Sequence, residues 1–127
     1  FKIGCHKETR KGIMETMLFE RELKTDFVDI TICTPFPATE IYTTGLRDGI
    51  IKNDFWREFA KNPTKDFQPQ CWEEHFTRKE LQELIVYAYK SFYTRPSYIL
   101  KRLTHIRSIG EFIRMARAGL KVFGMQP

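Results

Sequence analysis

The stretch Asp26-Phe27-Val28-Asp29-Ile30-Thr31-Ile32-Cys33-Thr34-Pro35-Phe36-Pro37-Ala38-Thr39-Glu40-Ile41-Tyr42 decides the fold class. Between 27 and 34 the residues alternate: Val28, Ile30 and Ile32 share one face, and Asp29, Thr31 and Cys33 share the other. A period of two is what a strand requires. Pro35 and Pro37 end it, because proline lacks the N–H a ladder needs. A helix is predicted over 38–48, with Gly49 as its stop. Upstream, Phe1-Lys2-Ile3-Gly4-Cys5 reads as the end of another buried strand, followed by the polar turn Cys5-His6-Lys7-Glu8. Thr9 then caps a helix running to about position 24, with Ile13, Met14, Met17, Leu18 and Phe19 as its apolar side. Strand, helix, strand, helix is the order of βα units in a parallel α/β sheet or barrel, and two units are too few to close one.

Downstream the pattern changes. Residues 51–76 are irregular but rich in rings, with Phe55, Trp56, Phe59, Phe67, Trp72 and Phe76. They are too apolar for a free linker, so this segment is expected to lie over a surface and bury them, with a short helix over 54–61. From 77 onward the chain is helical. Thr77 and Glu80 form a capping box, and Leu81, Leu84, Ile85, Ala88 and Phe92 form one stripe. Arg95-Pro96 breaks that helix, and a shorter one is predicted over 97–106. Ser108 and Glu111 give a second capping box for a last helix over 109–123, which presents Phe112, Ile113, Ala116, Leu120 and Phe123 and stops at Gly124. The expected architecture is α/β, a partial parallel (βα) barrel fragment of two strand–helix units in 1–50, joined through 51–76 to an α-helical extension in 77–127.

Composition narrows the function classes. At 127 residues, 42% hydrophobic and 29% charged, the chain is one globular piece. No apolar run approaches the roughly 18 residues a membrane span needs. Cys5, Cys33 and Cys71 are too scattered for a disulfide scaffold and fit a reducing cytoplasm. The net charge of +5 is uneven: residues 77–127 hold ten Lys/Arg against three Asp/Glu. Arg95, Lys101, Arg102, Arg107, Arg114, Arg117 and Lys121 alternate with apolar positions, as on amphipathic helices with solvated faces. No nucleic-acid recognition motif accompanies them. A lipid-facing role is a further reading of these helices. Docking to an acidic partner, or to another part of a longer protein, is expected instead. Cys5 and His6 are adjacent, so on a strand they point to opposite faces, and His75 and His105 are isolated; no metal site is expected. The chain opens on Phe1, inside an apparent strand, and is expected to be a piece of a longer protein.

Two stretches, Phe1-Lys2-Ile3-Gly4-x-x-x-Glu8-Thr9 and residues 26–42, together resemble the fifth and sixth strand–helix units of radical S-adenosylmethionine (SAM) enzymes of the cobalamin-binding group. Phe92-Tyr93-Thr94-Arg95-Pro96-Ser97-Tyr98 and Ile106-Arg107-Ser108 resemble that group's C-terminal helical extension. The likeness covers nearly the whole chain and is specific only in combination. That group's usual turn contains Pro-Gly before the Glu-Thr, where this chain has Cys5-His6-Lys7, and Ala38 replaces the usual Gly after Pro37. The C-x3-C-x2-C motif that holds a 4Fe–4S cluster in that group is absent.

The resemblance implies a parent enzyme that uses SAM, a 4Fe–4S cluster and cobalamin, with the cluster- and cobalamin-binding parts elsewhere in the same chain. No catalytic residue, metal ligand or bound cofactor is expected within residues 1–127, and this piece alone should be inactive. Ile3 and Gly4 would border the SAM adenine through their backbone; Thr34, Pro35 and Phe36 would lie beyond the end of the second strand, where α/β folds bind ligands. On the residues alone other readings stay open: Gly4 merely ends a strand, Phe36 plugs the space under a helix, and the polar face of 29–33 is a wetted edge. The helical extension looks most like oxidative cyclases that form the fifth ring of bacteriochlorophyll from magnesium-protoporphyrin IX monomethyl ester, a planar tetrapyrrole substrate. A cobalamin-dependent radical SAM methyltransferase is the alternative within the class, and a non-catalytic basic docking module the alternative outside it. The strand edges at 1–5 and 27–34 are expected to allow a dimer between copies.

Overall fold

A computed structural model describes residues 1–23 and 25–126. In chain order the elements are β1 (Lys2–Ile3), α1 (Arg10–Glu22), β2 (Thr31–Ile32), α2 (Glu40–Arg47), α3 (Phe55–Lys61), α4 (Arg78–Tyr93), α5 (Pro96–Thr104) and α6 (Ile109–Phe123). The two strands are parallel, with Lys2 opposite Thr31 and Ile3 opposite Ile32. The protein is therefore mixed α/β and mostly helical, and β1–α1–β2 is a βαβ unit.

β2 is much shorter than the alternating stretch over 27–34, and its neighbours explain why. On one flank the Thr31 amide donates to the Phe1 carbonyl (3.0 Å) and the Cys33 amide to the Ile3 carbonyl (2.8 Å). β1 then turns away at Gly4, whose φ of 75° is left-handed. Trp72 takes the next position, its amide donating to the Cys33 carbonyl (3.1 Å). On the other flank the amides of Val28 and Ile30 donate to the hydroxyls of Tyr93 (3.3 Å) and Tyr89 (3.1 Å) on α4. Outside the short pairing with β1, this stretch is bonded not by further strands but by two tyrosine hydroxyls that accept from its amides and a loop amide that donates to its carbonyl. Of the two edges expected to pair between copies, 27–34 already has two amides engaged.

The core lies between this pair and α4. Ile3, Ile13, Met17, Val28 and Ile30 pack with Leu81, Leu84, Ala88 and Phe92. Val28 and Ile30 are on the buried face as expected, while Asp29 and Thr31 are exposed and Cys33 is buried. In α1 the Thr9 hydroxyl accepts from the Gly12 amide, as the sequence predicts. The helix ends at Glu22 with Leu23 as its cap; its expected end at Lys24 lies outside the described residues. Leu18 and Phe19 are exposed, and the buried stripe is instead Ile13, Met17 and Glu20.

The 51–76 segment buries its rings. Ile51, Phe55 and Tyr42 form a second cluster flanked by Trp56 and Phe67, and Phe59 stacks on Phe67 at 4.0 Å. Asp54 caps α3, and α2 starts at Glu40 because Ala38 is left-handed (φ 64°) and Thr39 is the cap. The Thr77–Glu80 capping box is present on α4. The second box is one-sided: Ser108 accepts from the Glu111 amide, but the Glu111 carboxylate turns to the Arg107 amide (2.9 Å). α5 begins at Pro96, whose fixed φ suits a first turn, and ends at Thr104 with His105 as its cap. No residue of α5 or α6 is buried; of the expected apolar side of α6, Ile113 and Leu120 face outward, while Phe112, Ala116 and Phe123 border a cavity that Tyr89 and Tyr93 of α4 also line. Among the described residues no helix is long and apolar enough to cross a membrane.

Candidate functional site

Parallel strands gather their outgoing loops at one end, and ligands of α/β folds bind there. In this chain that end holds the turn after Gly4 and the segment after Cys33. The Cys33 amide on the Ile3 carbonyl holds the two strand ends together, but β1 turns away at Gly4, and Trp72 rather than the turn after Gly4 pairs with the Cys33 carbonyl. Their roles differ. The Ile3 side chain is fully buried in the core and offers a ligand only backbone. Gly4 is buried, and an added Cβ would come within 2.7 Å of Leu81. Core packing and the left-handed turn therefore explain Gly4 without a ligand. Thr34 is half-buried, with its hydroxyl on the Ile32 carbonyl (3.4 Å). Pro35 is buried, and its carbonyl accepts from the Trp56 indole N–H (2.9 Å). Phe36 is exposed and stacks on Trp56, ring centroids 5.3 Å apart. It is a partner of that ring, not a plug beneath α2.

A carboxylate far along the chain fixes the first turn. One oxygen of Glu74 accepts from the Lys7 amide (3.0 Å) and the Trp72 indole (2.8 Å), and it meets His6 Nδ1 at 2.9 Å. These donors, the Lys7 amide foremost, hold the Glu74 carboxyl down at about 2. His6 also packs edge-on against Trp72, centroids 5.3 Å apart. The turn itself is closed by Glu8, which accepts from the Cys5 amide (3.0 Å). Lys7 there is left-handed (φ 58°), a conformation that favours glycine. On the other side, Tyr42 donates to Asp54 (2.6 Å); burial and that carboxylate push the phenol up to about 12. The result is a walled end: His6, Trp72 and Glu74 on one side, Phe36 and Trp56 on the other.

The sequence reading missed Glu74 as the clamp, and nothing local in the sequence marks it. It also missed that Cys5 lies beside Cys33. Burial, then the Cys5 thiol, push the Cys33 thiol up to about 12. Cys71 is buried, and its thiol donates to Glu73 (3.3 Å). No group of three or more His, Cys, Asp and Glu among the described residues could hold a metal ion. With Cys71 directed to Glu73, the cysteines of this chain do not fit a 4Fe–4S cluster. A separate cavity of about 940 Å³ lies at the opposite end of β2, lined by Tyr89, Tyr93, Tyr98, Phe112, Met115 and Phe123 among others. Helices α4, α5 and α6 and residues 26–27 enclose it.

The chain is 30% identical over 120 residues to a Pyrococcus horikoshii protein named as an uncharacterized methyltransferase. That alignment covers 94% of this chain but 25% of the relative, so the chain spans about a quarter of the length of the protein it matches. No family model matches the chain. No solved structure matches it.

Proposed function

We propose that this chain is part of a SAM-dependent methyltransferase, and that the end of its parallel strand pair borders the adenosine of SAM. The likeness to a protein named as a methyltransferase, across nearly all of this chain, carries the reading. It favours methyl transfer over the oxidative ring closure that the helical extension brought to mind. The rings of 55–67, which would suit a planar tetrapyrrole, pack on one another. The resemblance to the cobalamin-binding radical SAM group makes the finer proposal a radical SAM methyltransferase, with cluster and cobalamin held outside these residues. SAM then supplies the methyl group or radical chemistry, and this chain binds and orients. Backbone groups at Gly4, Cys5 and Thr34 suit the edge of adenine, which offers both donors and acceptors. The exposed face of Phe36 suits stacking on a planar ring.

The test is a titration of the ¹⁵N-labelled chain with S-adenosylhomocysteine, followed by amide shifts. Shifts clustered at residues 4–8 and 34–36, and reduced in Phe36→Ala, are expected. Shifts confined to 96–126, or none at millimolar ligand, would refute the placement.

A second reading concerns residues 96–126 alone. The outward apolar face of α6 supports docking against another part of a longer protein. Tight DNA binding by this chain, weakening steeply with salt, would replace that reading with a nucleic-acid one.

A further inference from the structure

We infer that the cavity among α4, α5 and α6 is a binding site for an apolar organic acid, a molecule with a hydrocarbon body and one carboxylate. Its room is the first observation. At about 940 Å³ it is of the size of small-molecule sites, roughly 300–1,000 Å³. Gly119 opens one wall: it is half-buried, yet a Cβ added there would meet nothing within 4 Å. The walls are the second observation. Tyr89 and Tyr93 lie nearly parallel, 10° apart, with ring centroids separated by 6.3 Å. Their hydroxyls are taken by the Ile30 and Val28 amides, so the rings are what they offer a ligand.

Charge decides the class of ligand. Two acids and two arginines line the cavity. The acids are engaged: Asp26 pairs with Lys101 at 2.8 Å, and Glu111 accepts from the Arg107 amide at 2.9 Å. Arg102 donates through Nε to the Tyr98 hydroxyl at 3.2 Å. Among the described residues neither Arg102 nor Arg114 forms an ion pair. A hydrocarbon body against the rings, with its carboxylate at these guanidiniums, uses both features. A flat aromatic acid and a fatty acid share this chemistry. Asp26 and Phe27 precede β2, whereas the turns proposed to border SAM follow the strands. The site therefore does not depend on the methyltransferase reading.

The test is a fluorescence titration of the 127-residue chain with pyrenebutyrate and, separately, with pyrenebutanol. Expected is saturable binding, with the acid about tenfold tighter than the alcohol, the effect of one charge-assisted hydrogen bond. The double variant Arg102→Gln/Arg114→Gln should erase that preference and leave pyrenebutanol binding unchanged. Gly119→Leu should abolish saturable binding of both by filling the space. Its melting temperature should not fall, because leucine is the better helix former. Laurate displacing pyrenebutyrate extends the class to fatty acids; laurate without effect confines it to flat ones. Equal affinity for acid and alcohol, or binding that persists in Gly119→Leu, overturns the inference. So does an absence of saturable binding; a chain that then sediments as a dimer gives the space to a second copy.

Discussion

Helices α4 and α6 are nearly matched in length and in their starts, yet they end in different surroundings. α4 has 16 residues and a Thr77 cap; α6 has 15 and a Ser108 cap. Both carry an apolar stripe. α4 buries Leu81, Leu84, Ala88 and Phe92. α6 leaves Ile109 80%, Leu120 71% and Phe123 63% exposed. Its half-buried positions are Glu111, Met115, Gly119 and Val122, a stripe adjacent to the most apolar one. Caps and amphipathic spacing determine that a helix forms; tertiary partners determine which stripe is covered. The α4 stripe has the βαβ unit to bury, and the best stripe of α6 has no such partner among the described residues.

The sharpest way to break this contrast is to truncate one apolar side chain on each side of it. Phe92 is fully buried. Phe92→Ala should cost about 3–5 kcal/mol, from lost burial and the cavity left behind. Leu120→Ala should change stability by no more than about 0.5 kcal/mol, as at exposed sites generally. Urea denaturation of both variants decides it. If Leu120→Ala costs as much as a core substitution, the outer face of α6 is covered in solution and the contrast fails.

A flaw inside the better-packed region gives the next effect. Glu20 is 1% exposed on the core stripe of α1, and neither of its carboxylate oxygens has a hydrogen-bond partner among the described residues. Burial raises its pKa, opposed by the charge of Arg95. An acid whose folded pKa lies above its unfolded value binds a proton in the fold that the unfolded chain has released. Its contribution therefore weakens the fold as pH rises above the unfolded value of about 4.3. Glu20→Met should flatten that part of the pH–stability profile and add about 1–3 kcal/mol at pH 7, since no unpaired buried carboxylate remains. An unchanged profile in Glu20→Met would show that Glu20 finds a cation or water in solution.

What could be read in the sequence follows from how local each signal is. The caps Thr9, Thr77 and Ser108 and the α4 stripe were legible because cause and effect lie within a turn or two. The parallel pair was legible from alternation plus its helix. The trimming of β2 was not, because the amides just before it, of Ile30 and Val28, end on tyrosines 59 and 65 residues away. Nor was the Glu74 clamp, which sits 67 residues from the amide it holds. Glu20 has the look of a solvated charge until α4 covers it.

The smallest effect concerns two left-handed turns, one on each side of the parallel pair's outgoing end. Among the described residues, Lys7 and Ala38 are the non-glycine residues at positive φ, at 58° and 64°. A left-handed conformation costs an L-residue roughly 1–2 kcal/mol. Glycine removes that strain but gives back about 0.5–1 kcal/mol in backbone entropy. Lys7→Gly and Ala38→Gly should therefore each stabilise the chain, by up to about 1 kcal/mol. The Glu74 clamp on Lys7 uses the backbone amide and survives the change. Ala118→Gly, in the middle of α6, should instead cost about 1 kcal/mol. Melting temperatures of the three variants should move in opposite directions on the two sides of the molecule. A fall in Lys7→Gly and Ala38→Gly would mean that these turns are not left-handed in solution.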